Sequence, residues 1–200
     1  MEIKNVVFDL GGVVIVWDPE KIKREFPGDK KAPAFLFENG FFSEYWTEFD
    51  RGTLTEGELI EKLAKRSGSD VEEWRKLIEY IKGSLADLPV TCELMHDLKE
   101  TGHRLFCISN LSVEFYRYIQ NRPFFHYLEG KIISGIEKVV KPDPAIFTLL
   151  LERYGLKAEE TLFIDDLEAN VKAAAAMGFR VVHYTDPQEK SLEVRRLTGL

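Results

Sequence analysis

Residues 3–8 form an apolar-rich run that ends in Asp9 and is followed at once by Gly11-Gly12. A run this short, closed by a glycine turn, predicts a buried β-strand. From about 18 to 88 the apolar positions recur mostly at helical spacing. Asp18-Pro19 opens one helix as N-cap and first-turn proline, Thr53 or Thr55 opens a second, and 71–85 reads as a third or as a pair. After Pro89 the period changes. A helix over 93–100 ends at Gly102, a strand covers 104–108, a helix 113–120, and a short strand 131–134. A helix over 144–154, a strand over 161–164, a helix over 168–177 ended by Gly178, and a strand over 180–184 complete the alternation. The tail from 186 to 200 has weak helical character and no assignable role.

Strands alternating with helices of this length predict an α/β fold, a Rossmann-like parallel sheet covered on both faces. Right-handed crossovers then bring the carboxyl ends of the strands to one crevice. The long helical stretch lies between the first and second strands, so it reads as an insert over that edge. The expected division is a core of residues 1–17 and 89–200 and a helical cap of 18–88.

Composition narrows the partners. In 200 residues, 44% are hydrophobic and 14 are Phe, enough to build a core and to exclude disorder over most of the chain. With 27 basic against 34 acidic residues the formal charge is −7. That balance, without a basic block, speaks against nucleic acid and against an anionic membrane surface. Any bound anion must be held by local donors. Cys92 and Cys107 are too few for a disulfide framework and lack metal-ligand spacing, and Cys107 reads as a buried, reduced thiol. The N-terminus shows no leader pattern, and 13–17 is too short an apolar run to span a bilayer, so a cytoplasmic location is expected. Oligomeric state is left open.

The residues at the predicted strand ends carry the chemistry. The first strand ends in Asp9, the second in Ser109-Asn110, the fourth in Asp165-Asp166, and Lys141-Pro142 opens a helix between them. Two or three carboxylates suit a hard divalent cation such as Mg²⁺, which keeps part of its shell for water and substrate phosphate. A lysine and helix N-terminal amides suit phosphate itself. An aspartate beside such a pair can attack phosphorus, because the surrounding positive charge neutralises the approach. The combination points to phosphoryl transfer through an aspartyl-phosphate.

Four segments taken together, Val7-Phe8-Asp9-Leu10-Gly11-Gly12-Val13, Ile108-Ser109-Asn110, Lys141-Pro142-Asp143-Pro144 and Phe163-Ile164-Asp165-Asp166, resemble in order and spacing the four motifs of the haloacid dehalogenase superfamily. The helical insert after the first motif is similar to that superfamily's C1 cap. The resemblance implies that Asp9 is nucleophile and metal ligand, that Gly11 lends its carbonyl to the metal, and that Asp166 is the second carboxylate ligand of Mg²⁺. It further implies that Ser109 and the Asn110 amide hold the phosphoryl oxygens, that Lys141 neutralises nucleophile and phosphate, and that Asp165 and Asn170 orient the metal's waters and Lys141.

One position departs from the pattern. Phosphatases of the superfamily usually carry a second aspartate two residues after the nucleophile as general acid and base, and here that position is Gly11. A placed proton donor is worth on the order of 10²–10⁴ in rate, so its loss favours esters with a good leaving group. Dehalogenases also lack this aspartate, but they lack the paired carboxylates of the fourth motif as well. A bacterial subgroup with glycine here, similar to the α-D-glucose-1-phosphate phosphatase, resembles the chain further over Phe49-Asp50-Arg51-Gly52-Thr53-Leu54-Thr55 and from Leu98 to Asn110. The expected activity is therefore Mg²⁺-dependent hydrolysis of a small phosphorylated metabolite, most plausibly a sugar phosphate such as an aldose 1-phosphate. The competing readings are a binding or regulatory protein that has lost turnover and, third, a dehalogenase.

Several residues have a plainer reading beside the functional one. Asp18 stands where it would replace the missing acid, but it equally caps the helix at Pro19. Arg51 and Gly52 fall where such caps contact substrate, against a surface charge and a helix-boundary glycine. Tyr45 and Trp46 would wall a sugar pocket, but aromatics at this spacing are more often core. His96, His103, His126 and His183 are scattered, and none is expected to be catalytic.

Overall fold

The computed structural model describes residues 2–38 and 42–200, the side chains of residues 42 and 43 excepted. Five parallel strands form one sheet in the order β3-β2-β1-β4-β5: β1 Asn5–Phe8, β2 Arg104–Ser109, β3 Leu128–Ile133, β4 Thr161–Asp165 and β5 Arg180–His183. β1 is central, with Phe8 opposite Cys107 on one side and Ile164 on the other. Successive side chains on a strand point to opposite faces, and the burial follows that period. Val6, Phe8, Leu105, Cys107, Leu162 and Ile164 enter one apolar cluster, and Val7, Phe106, Ile108 and Phe163 enter the other.

Eleven α-helices are described: α1 Pro19–Glu25, α2 Lys31–Glu38, α3 Thr47–Asp50, α4 Glu56–Ser67, α5 Val71–Ser84, α6 Pro89–Glu100, α7 Val113–Ile119, α8 Ser134–Glu137, α9 Pro144–Tyr154, α10 Glu168–Ala176 and α11 Pro187–Thr198. α9 and α10 cover the second cluster, and α6 and α11 pack on the first face with the insert. Among the described residues no helix is long and apolar enough to cross a membrane.

All of α1 to α5 lies between β1 and β2. Thr55, not Thr53, opens α4 through a capping box: its side chain accepts from Glu58 N–H while the Glu58 carboxylate accepts from Thr55 N–H, and Gly68 closes the helix in the left-handed conformation. Ile22, Leu36, Leu63, Trp74 and Leu77 are buried in the insert and belong to the same apolar cluster as Val6 and Leu105. The two chain segments that connect insert and sheet are paired. Val16 N–H donates to Ala86 O at 2.7 Å, Leu88 N–H donates to Val14 O at 2.8 Å, and Ile15 bridges Asp87 in antiparallel fashion.

The tail is a complete helix. Asp186 caps α11, Pro187 takes its first turn, Val194 is fully buried, and Arg195 donates to Asp97 of α6 at 2.6 Å. Its mostly polar composition hid an anchored face.

Candidate active site

The parallel register sets the strand ends side by side. Asp9 N–H donates to Ile164 O at 2.8 Å, which fixes Asp9 one step beyond β1 next to Asp165 at the end of β4. Asp9, Lys141 and Asp165 are all buried. The Lys141 ammonium lies 2.8 Å from Asp9 Oδ1 and 2.6 Å from Asp165 Oδ2, and it donates a third bond to Ile108 O at 3.1 Å. Its three protons are thereby used in three directions. The Lys141 backbone is fixed as well: Asn110 Nδ2 donates to Lys141 O at 2.9 Å, and Lys141 N–H donates to Asn110 Oδ1 at 2.7 Å. The Asn110 side chain thus pairs with the loop as a strand would. Among the described residues no hydrogen bond occupies the Asn110 backbone N–H.

Asp165 is saturated. Oδ1 accepts from Leu167 N–H at 2.9 Å and from Asn170 Nδ2 at 3.0 Å, and Oδ2 accepts from Lys141 and from Asn170 at 3.1 Å. Asp9 differs. Its Oδ1 accepts from Leu10 N–H at 2.7 Å and from Lys141, whereas no described donor holds Oδ2. Asp166 makes no ion pair among the described residues, and its backbone carbonyl is held by His183 Nε2 at 2.8 Å. Gly12, at φ +74°, lies so close to Asp166 that a Cβ there would sit 2.6 Å from Oδ2. The glycine turn after β1 is therefore a close approach between two loops as well as a chain reversal.

One buried ammonium serves three carboxylates, and the electrostatics reflect the deficit. Burial pushes the Asp9 carboxyl up to about 7, against the pull of Lys141 and with help from Asp165 and Asp166. Burial and the neighbouring Asp165 raise Asp166 to about 6. Burial lowers Lys141, but the two carboxylates outweigh it, so the ammonium keeps its proton more firmly than usual. One oxygen each from Asp9, Asp165 and Asp166 lies within 4.8 Å of the others. Asp165 is taken up by Lys141 and Asn170, which leaves Asp9 and Asp166 as the carboxylates that could hold a cation, and an all-oxygen donor set suits Mg²⁺.

Above these groups lies a cavity of about 310 Å³. Asp9, Gly11, Ser109, Asn110, Lys141, Asp166 and Asn170 border it from the sheet side, and Trp17, Trp46, Thr47, Asp50, Leu85 and Phe115 close it from the insert side and from α7. Trp46 packs on Trp17 at 6.1 Å, on Phe49 at 5.7 Å and on Phe115 at 5.7 Å between ring centroids. It is wall and core at once.

The structure brings together seven of the residues expected from the sequence along the sheet side of the cavity, with Asp165 behind them. The remaining three do not border the cavity. Asp18 accepts from Lys21 N–H at 2.8 Å as the N-cap of α1 and does not border the cavity. Arg51 and Gly52 do not border it either. Gly52, at φ +71°, docks against the β3–α8 corner: Lys138 Nζ donates to Gly52 O at 2.6 Å, Ser134 Oγ donates to Asp50 O at 2.5 Å, and a Cβ on Gly52 would collide with Gly135 O. Asp50, Trp17 and Thr47 are cavity residues that the sequence reading did not single out. The signal for Asp50 was its place next to the Arg51-Gly52 turn.

A parallel sheet of this strand order, with a lysine between carboxylates at its carboxyl edge, is a Rossmann-like α/β fold carrying a charged site at its strand ends. The chain belongs to the haloacid dehalogenase-like hydrolases, whose family model matches residues 3–178. A sesquiterpene phosphatase of Aspergillus oryzae is 26% identical over 98% of this chain and 97% of its own length. A D-ribitol-5-phosphate phosphatase of Bacteroides thetaiotaomicron is 25% identical, covering 88% of this chain and 89% of its own. The magnesium complex of a HAD family enzyme from the same bacterium superposes with a TM-score of 0.76 at 27% identity, over 91% of this chain and 93% of that one. Some relatives are far longer: the chain spans 19% of acyl-CoA dehydrogenase family member 10 of Mus musculus and 37% of a drimenol cyclase of Aspergillus calidoustus.

Proposed function

We propose that the chain is a Mg²⁺-dependent phosphatase that hydrolyses a small phosphomonoester through a phospho-Asp9 intermediate. The observation that carries this reading is the Lys141 ammonium bridging Asp9 and Asp165 at the floor of the cavity, with one Asp9 oxygen anchored and Oδ2 left without a protein donor. Oδ2 attacks phosphorus. Lys141, the Ser109 hydroxyl and the Asn110 N–H receive the phosphoryl oxygens, and they are already in place before the charge develops. Asp165 and Asn170 keep Lys141 aimed. Asp9 and Asp166, with the Gly11 carbonyl, are the ligands for Mg²⁺, which would supply the positive charge that one lysine among these carboxylates lacks. The named activities of the relatives, on a sesquiterpene phosphate and on D-ribitol 5-phosphate, support phosphate ester hydrolysis as the reaction class.

The substrate in this reading is a small phosphorylated metabolite, with a sugar phosphate as first choice. Gly11 offers no proton donor, so the floor alone is best matched to an aldose 1-phosphate, whose hemiacetal oxygen leaves more easily than an ordinary sugar hydroxyl. Trp17 and Trp46 present flat apolar surfaces for the body of the leaving group. Residues 18–88 act as a cap that shuts this space from water and sets selectivity. Gly11 also keeps a second reading in play, a binding protein on the same scaffold, in which phospho-Asp9 forms and is not released.

The test is phosphate release from paired esters, aldose 1-phosphates and their 6-phosphate isomers, with and without Mg²⁺, beside an Asp9→Asn control. Metal-dependent release lost in the control supports the phosphatase. Stoichiometric labelling without release supports the binding protein, and neither release nor labelling overturns both.

A further inference from the structure

The cavity holds a carboxylate that the chemistry above does not use. Asp50, the last residue of α3, borders it from the insert, opposite a floor on which Gly11 has no side chain. Three contacts determine where it sits. Its carbonyl accepts from Ser134 Oγ, the following turn is held by Lys138 on Gly52 O, and Glu56 N–H donates to Glu114 Oε1 of α7 at 3.4 Å. The turn can dock this closely only because Gly52 lacks a Cβ and adopts φ +71°. The Ser112 backbone N–H, at the start of α7, is near enough to the Asp50 carboxylate to favour its ionised form.

We propose that Asp50 performs the two proton transfers for which the floor has no group, and that the docked turn exists to deliver it. The proposal rests on the phosphatase reading. In the first half, as Asp9 Oδ2 bonds to phosphorus and the ester P–O bond breaks, the Asp50 carboxyl gives its proton to the departing oxygen, and the alcohol leaves neutral. In the second half, the Asp50 carboxylate takes a proton from water as that water bonds to phosphorus. The P–O bond to Asp9 breaks, and phosphate, the Asp9 carboxylate and the Asp50 carboxyl are restored.

The environment suits an acid that is protonated near neutrality. Withdrawal from water raises Asp50 well above the ordinary carboxyl range, the Ser112 N–H opposes that shift, and the charged groups facing it are Asp9 (raising) from β1 and Lys141 (lowering) from the loop before α9. Lys138 of the β3–α8 corner is engaged with Gly52 O, and Glu114 of α7 with Glu56 N–H, so neither is paired with Asp50. With Asp50 as acid, the active site reaches esters of ordinary alcohols as well as anomeric phosphates.

The experiment compares wild type, Asp50→Asn and Asp50→Glu, each with Mg²⁺, on phosphate esters whose leaving groups run from 4-nitrophenol to simple alkanols. Asp50→Asn, nearly isosteric and with its backbone contact to Ser134 intact, is expected to lose on the order of 10²–10⁴ in kcat/KM on alkyl phosphates and under about tenfold on 4-nitrophenyl phosphate, because that leaving group needs no proton. It is also expected to lose the alkaline limb of its pH profile and to accumulate phospho-Asp9, while Asp50→Glu regains part of the loss. Equal losses across all leaving groups, or an unchanged pH profile, overturn the proposal and leave the phosphatase standing. A wild type that neither releases phosphate nor labels Asp9 overturns the phosphatase reading, and this proposal with it.

Discussion

The floor and the roof of the cavity are built on opposite principles. On the floor hydrogen bonds fix most of the polar groups: Lys141 spends three donors on three acceptors, Asp165 accepts four bonds, and Asn110 clasps the Lys141 backbone from both sides. The roof is aromatic and aliphatic, and Trp17, Trp46 and Phe115 hold one another by edge-on and tilted packing. Among the described residues, Asp50 is the roof's one carboxylate at the cavity. Removing the central donor of such a floor, Lys141, strands buried acceptors. An apolar roof can be reshaped at constant volume with modest cost. In the proposed reaction the attack on phosphorus is set below, and the proton transfers and the fit of the leaving group are set above.

Substitutions separate the two regions, beginning with the largest effect. Asp9→Asn should reduce phosphate release by on the order of 10⁴–10⁶ without shifting the melting temperature downward, since it removes a buried carboxylate; a turnover assay beside a thermal melt checks both halves. Lys141→Met leaves Asp9 and Asp165 without their cation. Breaking a buried pair in this way costs about 3–5 kcal/mol, measurable by urea denaturation, and activity should vanish with it.

Metal addition gives the next largest change, and its sign follows from the raised carboxyls. Asp9 is pushed to about 7 and Asp166 to about 6, both above the unfolded value of 3.8. Without metal the folded state therefore binds more protons than the unfolded chain, and stability falls as pH rises from about 4 through about 7. Mg²⁺ needs the ionised forms. At a hundredfold excess over Kd it should add about 2.7 kcal/mol at pH 8 and clearly less at pH 5, where two protons must be displaced; thermal melts at the two pH values read the difference. The smallest effect belongs to the roof's anchor. Gly52→Ala costs about 1–2 kcal/mol for the left-handed backbone alone, and the Cβ also meets Gly135 O; the turn that carries Asp50 shifts, so kcat/KM on alkyl esters should fall more than on 4-nitrophenyl phosphate, while Mg²⁺ binding stays as it was.

The same contrast explains what could be read before the structure. Floor residues are local signals: each of Asp9, Ser109 and Asp165 follows directly on an apolar run, and Gly12 or a helix start marks the turn. A parallel sheet then does the assembly, because its register brings all strand ends to one edge. Apart from Trp46, roof residues carry at most a weak mark. Trp17, Asp50 and Phe115 come from distant parts of the chain, and each has an ordinary local reading. Asp18 had the opposite fault, a suggestive position whose capping role proved to be its structural use. Two element boundaries were also hidden by tertiary contacts. β3 starts at Leu128 rather than 131 because Gly130 makes room for the Tyr154 ring, whose hydroxyl accepts from Lys131 N–H at 3.0 Å. α6 starts at Pro89, which looks like an interruption and serves as the first helical position.

The paired segments Val14–Val16 and Ala86–Leu88 have a consequence for how the molecule tolerates change. Because they are hydrogen-bonded to each other, the ends of the helical insert are held a strand's width apart whatever lies between them. To the sheet, the entire insert is then a hairpin loop closed at its base, and each doubling of a loop's length adds only about 0.6 kcal/mol of closure entropy. Helices can be lengthened, lost or exchanged beyond that base while β1 and β2 keep their register. The residues at the strand ends can thus keep their places while the insert varies outside the docked turn that carries Asp50.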